Sequence, residues 1–291
     1  MSTPASQPVG LICGGGALPF AAADALIARG VQPVLMALNG FADAQRVAHY
    51  RHHWVAIGQF GRNVSLLRNE GCREVVFIGS LVRPSLKDVR FDLKTLFVLP
   101  KIIAAFRGGD DHLLTHIARI FEDEGFVMRG LHEIVPEFLL PQGHLTNIAP
   151  DESACADIAK GLAALASMAP HDIGQAVVVI DRNIVAVEGI EGTDAMLARV
   201  ANLRKEGRLR SQTGRGVLVK APKTQQDLRF DMPSLGPRTI EHVAQAGLAG
   251  LAAIAGHTLL VESQTTIALA DRARLFFEGV DAVALSSTNP S

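Results

Sequence analysis

The sequence predicts an α/β protein: a parallel-sheet, doubly wound first half and a second, separate α/β half. Three observations carry this. Short apolar runs alternate with amphipathic stretches from the start, at 9–13, 34–38, 54–57 and 75–78. The connections are short and end in glycine, at Gly30, Gly71 and Gly79. A chain of 291 residues with 48% hydrophobic side chains is long enough for two cores and too apolar to stay disordered.

Val9 to Cys13 is a buried strand running into Gly14-Gly15-Gly16, and Pro19 suits the first turn of a helix over Phe20–Arg29. Val34–Leu38 and Trp54–Ile57 are the next strands, Val64–Glu70 a helix, and Val75–Ile78 a strand closed by Gly79-Ser80. Residues 92–124 read as two helices around Gly108-Gly109-Asp110, the first interrupted by Pro100. The looser stretch with Pro136, Pro141, Gly143 and Pro150 sets the boundary, giving domains 1–145 and 146–291. Beyond it come an Ala-rich helix from Asp151 to Met168, a hairpin (177–180 and 184–187), a helix over 193–205 and a strand over 217–220. A helix over 239–246, strands at 248–254 and 259–261, and a last helix at 265–274 complete the second half.

Composition excludes several classes. With 28 basic and 29 acidic residues the formal net charge is −1, so no nucleic-acid partner is expected. Three scattered cysteines form no metal spacing and no disulfide framework, which points to a reducing, cytoplasmic setting. The first 23 residues carry no charged side chain, yet they lack a basic n-region and are broken by glycines, so a signal peptide is not expected. Mean hydropathy is +0.23 with few aromatics, so small aliphatic residues carry it.

Four places could carry chemistry. The turn Gly14 to Pro19 can hold a phosphate on the amides of Gly15, Gly16, Ala17 and Leu18, or be a ligand-free tight connection. As a dinucleotide fingerprint it fails: Pro19 stands at the third glycine, and no acid follows the second strand. The run Lys220, Lys223, Gln226, Asp227, Arg229, Asp231 offers cations for a diphosphate and carboxylates for magnesium or water; its plain alternative is a solvated charged loop. Thr193 and Asp194 open a helix after Glu188, with Thr193 as an N-cap or a phosphate ligand. Ser80 and Arg83 follow the last strand of the first half, at the carboxyl edge of the sheet. The ten histidines give no metal signature, and no G-x-S-x-G elbow, metallophosphoesterase motif or Nudix box is present. The stretch from Leu93 to Phe106, interspersed with Lys94 and Lys101, is either a core helix kinked at Pro100 or a lipid-facing surface.

These pieces, in this order, resemble the LpxI-type UDP-2,3-diacylglucosamine pyrophosphatases of lipid A biosynthesis. The resemblance runs from about Val9 to Val280 and is most specific from Gln226-Asp227 to Pro233. It implies a Rossmann-like N-terminal domain, a C-terminal catalytic domain of family-specific topology, and substrate held between them. It also implies magnesium-dependent hydrolysis of UDP-2,3-diacylglucosamine to UMP and 2,3-diacylglucosamine 1-phosphate, with the essential aspartate at Asp227. On that expectation Asp227 and Asp231 meet magnesium, and Lys220, Lys223 and Arg229 stabilise developing charge. Gly15, Gly16, Ala17, Leu18, Ser80, Arg83, Thr193, Asp194 and Gln226 touch substrate. A diacylated substrate adds peripheral contact with the cytoplasmic face of the inner membrane; a homodimer stays open. The alternatives are a nucleotide-dependent oxidoreductase and a non-catalytic nucleotide-sugar or lipid-binding regulator.

Overall fold

The computed structural model describes residues 7–81, 91–105, 110–223 and 227–283, without the side chains of 101–105 and 110–113. The chain divides into two compact units. One comprises the chain up to Glu137 together with Asp227–Asp231; the other comprises Phe138 to Gln226 and the chain from Met232 onward.

The first unit contains β1 (Val9–Cys13), α1 (Leu18–Ala28), β2 (Pro33–Leu38), α2 (Ala44–Val47), β3 (His52–Val55), α3 (Phe60–Asn69) and β4 (Glu74–Ile78). It continues with α4 (Leu93–Ala105), α5 (Asp110–Asp123), β5 (Val127–Arg129) and α6 (Leu131–Ile134). Its sheet runs β3-β2-β1-β4-β5, every pair parallel. That is the Rossmann order through the fifth strand, and the direction of winding reverses between β1 and β4. Strands buried on both faces explain the unbroken apolar runs that made them legible. One core layer gathers Val34, Met36, Val64, Leu67, Val75, Phe121 and Met128.

Helix α4 is not a core helix. Its start is fixed firmly: Asp92 accepts a hydrogen bond from the Thr95 amide (2.8 Å), and the Thr95 hydroxyl, 2.6 Å from both Asp92 Oδ1 and the Gly58 carbonyl oxygen, has one proton to share between these two acceptors. Yet Leu93 and Phe97 are 77% and 84% exposed, and Leu96 is exposed between them. With Pro100, these positions at i, i+3, i+4 and i+7 form one apolar face turned to solvent.

The second unit contains β6 (Gly143–His144), α7 (Glu152–Met168), β7 (Ala176–Ile180), β8 (Asn183–Val187), α8 (Gly192–Lys205) and β9 (Val217–Lys220). Then follow β10 (Ser234–Leu235), α9 (Pro237–Gln245), β11 (Gly250–Ile254), β12 (Leu259–Leu260), α10 (Ser263–Arg272) and β13 (Phe276–Val280). The main sheet runs β6-β13-β11-β9-β7-β8. Strands β9, β11 and β13 are parallel, while β7 is antiparallel to both its neighbours and β6 to β13. Strands β10 and β12 form a small parallel pair. Helices α8, α9 and α10 bury Met196, Leu197, Ile240, Val243 and Ala270 on one face of the sheet, while α7 buries Ile158, Leu162 and Leu165 on the other. At Gly161 of α7 a Cβ would stand 2.6 Å from Val219, so the missing side chain sets how closely this helix approaches β9.

The last strand, β13, lies beyond the last element expected from the sequence. It was hidden because Phe276, Phe277 and Val280 are interrupted by Glu278 and Gly279. The expected N-cap at Thr193 also moves: α8 starts at Gly192 after Glu191, leaving the Thr193 hydroxyl for another partner.

Candidate functional site

In the first unit the glycine turn and the Gly79-Ser80 strand end meet as the sequence suggests. Parallel pairing of β1 with β4 brings both carboxyl ends to one corner. The Gly14 amide donates to the Ile78 carbonyl (2.8 Å), and Gly15 and Ser80 exchange backbone hydrogen bonds (2.8 and 2.9 Å). A Cβ on Gly14 would lie 2.3 Å from the Ser80 carbonyl oxygen, so only glycine fits this crossing. The corner sits where the sheet reverses, the place at which open α/β sheets take ligands. Because Gly14 and Gly15 donate to the opposite strand end, a ligand here would meet the amides from Gly16 through Ala17 and Leu18 onward. Arg83 lies outside the described residues.

The same unit holds the segment Asp227–Asp231, a turn in which the Asp227 carbonyl accepts from the Phe230 and Asp231 amides (3.0 and 3.2 Å). Its anchor is Phe230, whose ring packs against Phe77 of β4 with centroids 5.7 Å apart and planes tilted by 44°. Asp227 Oδ1 accepts from the Arg229 amide (3.1 Å), and the Arg229 guanidinium folds back on the carboxylate, with Nη2 2.8 Å from Oδ2. Nη1 of Arg229 reaches Glu122 Oε1 of α5 at 3.1 Å. Partial burial pushes the Asp227 carboxyl up, but the hydrogen bonds and charge of Arg229, with the charge of His132, hold it below the usual carboxylate range. Asp227 is therefore a fixed anion at neutral pH. Arg229, expected as a cation for substrate, is an ion-pair partner of Asp227 and Glu122. Glu122 and His132 were not foreseen; neither has a local sequence signal.

In the second unit, Lys220 ends β9 and is buried, 9% exposed. Its Nζ donates to the Thr193 hydroxyl (3.0 Å) and the Ser234 carbonyl (3.4 Å). Thr193 donates in turn to Glu188 Oε1 (2.8 Å), and Glu188 Oε2 accepts from the Gln175 amide (2.9 Å). Lys220, Thr193 and Glu188 thus form one hydrogen-bonded chain, the lysine 27 residues beyond the threonine. Asp194 is held by Arg238 (2.5 Å) and His242 (3.1 Å), and Lys223 by Asp172 (2.5 Å). Gln226 lies outside the described residues. The chain passes from Lys220 to Asp227 through residues 221–226.

No group of three or more metal-binding side chains occurs among the described residues. Asp227, with Asp231 one turn on, suits magnesium's habit of taking one or two protein carboxylates plus phosphate oxygens and water. It does not suit a closed protein cage, since both Asp227 oxygens already accept from Arg229.

Comparison with known proteins covers nearly the whole chain. Residues 8–138 match the family model described as LpxI N-terminal domain, and residues 141–278 the LpxI C-terminal domain. The UDP-2,3-diacylglucosamine pyrophosphatase LpxI of Caulobacter vibrioides is 44% identical over 275 residues, covering 94% of this chain and 98% of that protein.

Proposed function

The chain belongs to the LpxI family, and on that premise we propose that it hydrolyses the pyrophosphate bond of UDP-2,3-diacylglucosamine, releasing UMP and 2,3-diacylglucosamine 1-phosphate. The observation that carries the reading is Asp227: an aspartate kept ionised, on a turn fixed by Phe230, and joined by a short stretch of chain to the buried cation Lys220.

Water must be aligned with a phosphorus, and the charge growing on the nonbridging and leaving oxygens must be stabilised. A carboxylate held below its ordinary pKa is a weak proton acceptor but a dependable anion. Asp227 therefore orients water or a phosphate-borne cation rather than storing a proton. Lys220 places a positive charge at the end of β9; Lys223, which follows it, is paired with Asp172 and would have to leave that carboxylate to meet the diphosphate. The corner of Gly16, Ala17, Leu18 and Ser80 suits a phosphate or sugar oxygen, where helix α1 begins. Magnesium, when bound to the diphosphate, neutralises its charge, with Asp227 and Asp231 as the protein oxygens offered.

The exposed face of α4 supports the expected lipid contact. Leu93, Leu96, Phe97 and Pro100 are apolar, and the charged residues of the helix are Lys94 and Lys101, both basic. An apolar stripe on a helix whose own charged residues are basic fits an anionic bilayer surface, although Lys94 is paired with Glu124 (2.6 Å). Among the described residues, no helix is long and apolar enough to cross a membrane.

Incubation of the protein with UDP-2,3-diacylglucosamine and magnesium, followed by phosphorus NMR, is expected to show UMP and the sugar 1-phosphate. Asp227→Ala is expected to cut turnover by about 100-fold or more. Chelation should abolish activity and added magnesium restore it. Binding of substrate without release of UMP, or full activity in Asp227→Ala, would overturn the reading.

A further inference from the structure

The hydrogen bonds around Lys220 assign a role to a residue that the reaction itself does not call for. We propose that Glu188 is a positioning residue: through the Thr193 hydroxyl it fixes the direction in which the Lys220 ammonium points. The inference rests on Lys220 acting on the diphosphate.

An ionised carboxylate only accepts, so the Thr193 hydroxyl must donate to Glu188 Oε1 (2.8 Å) and turn its lone pairs toward Lys220 Nζ (3.0 Å). The second oxygen of Glu188 is held by the Gln175 amide at 2.9 Å, so the carboxylate cannot rotate freely. The chain before Gln175 lies close against the Glu188 backbone: a Cβ on Gly174 would stand 2.1 Å from the Glu188 carbonyl oxygen. Thr193 thus separates carboxylate from ammonium, and the ammonium meets the neutral oxygens of Thr193 and Ser234 at these two contacts. A neighbouring anion favours the charged form of lysine, and here the Thr193 hydroxyl lies between the two.

The surroundings single out Glu188. The residues beside Lys220 in the sheet are Ala176 of β7 and Ala253 of β11, which bring no charge. The other charged groups nearby in the fold are engaged elsewhere: Asp194 with Arg238 and His242, and Lys223 with Asp172.

The test uses Glu188→Gln in the full chain. Glutamine cannot accept at both ends: either the Gln175 amide loses its acceptor, or the amide NH2 faces Thr193 and turns its hydroxyl proton toward the ammonium. With UDP-2,3-diacylglucosamine as substrate, kcat is expected to fall about tenfold or more with KM little changed. The alkaline limb of the kcat profile should move to lower pH, because the lysine loses its neighbouring anion. Thr193→Val removes the oxygen that accepts from the ammonium and should move the limb in the same direction, Thr193→Ser should keep the wild-type limb, and the double variant Glu188→Gln/Thr193→Val should be no worse than the poorer single variant. An activity loss with an unmoved limb, or losses that multiply in the double variant, would show a merely structural role and overturn the proposal. The Lys220 ammonium signal in nitrogen-15 NMR, assigned with Lys220→Arg, reads the relay without turnover. If wild type releases no UMP, the functional reading fails. The relay is then decided by whether that signal titrates at lower pH in Glu188→Gln, and an unchanged titration refutes it.

Discussion

At the scale of single residues, the pair Asp227–Arg229 controls protonation. Arg229 lowers the Asp227 pKa, so the pair contributes stability above the ordinary carboxylate range and loses it as pH falls through the lowered folded value. Arg229→Ala should bring the Asp227 carboxyl back up toward its ordinary range. Its acid limb should then appear at higher pH in a pH–rate profile, and the acid unfolding midpoint should rise with it. The aspartate was legible from the sequence because a charged run after an apolar strand stands at a sheet edge. Its pairing was not, because the Arg229 guanidinium closes back over two residues and also reaches Glu122, a choice made by side-chain geometry.

At the scale of elements, close approaches decide which substitutions the fold accepts. Gly14→Ala sets a methyl against the Ser80 backbone, and backbone cannot yield as a side-chain end can. A loss of roughly 3 kcal/mol in urea unfolding is expected. The β7–β8 hairpin makes the complementary point. Its turn, Asp181-Arg182, takes the left-handed conformation at both residues, and the buried Asp157 of α7 accepts from both amides (3.2 and 2.6 Å). Asp157→Ala should cost about 2–3 kcal/mol, read as a lower melting temperature. The hairpin itself was visible as two apolar runs around three polar residues; the helix aspartate that holds its turn was not. Helix α4 shows the opposite failure. Its apolarity was plain, but whether that face meets a core or solvent depends on what packs beside it. If it meets lipid, Phe97→Ser should weaken co-sedimentation with phosphatidylglycerol vesicles several-fold while leaving neutral vesicles indifferent.

At the scale of the whole molecule, the chain leaves its second unit after residue 226, contributes Asp227–Asp231 to the first, and returns at Met232. Phe230 is the fixed point of that excursion, packed with Phe77 next to Phe121. Phe230→Ala should destabilise the first unit by roughly 2 kcal/mol, about half the usual loss for a fully buried phenylalanine. Hydrogen exchange should quicken in β4 and β5 while β9 and β11 keep their protection.

The sequence by itself determined the alternation of strands and helices, the parallel first half, the glycine corner and the aspartate-bearing run. Each rests on local signals: buried strands are apolar throughout, turns need glycine, and charged residues collect where strands end. Only the tertiary structure decided that Thr193 and Glu188 serve Lys220, that Arg229 faces Asp227 and Glu122, and that five residues of one half of the chain belong to the unit built by the other. Some of those contacts join residues distant in sequence, such as Lys220 with Thr193 and Arg229 with Glu122, and others, such as Arg229 with Asp227, are local but depend on which way a side chain turns. They are selected by which side chains the folded backbone brings within hydrogen-bonding distance, and periodicity and composition carry no record of that choice.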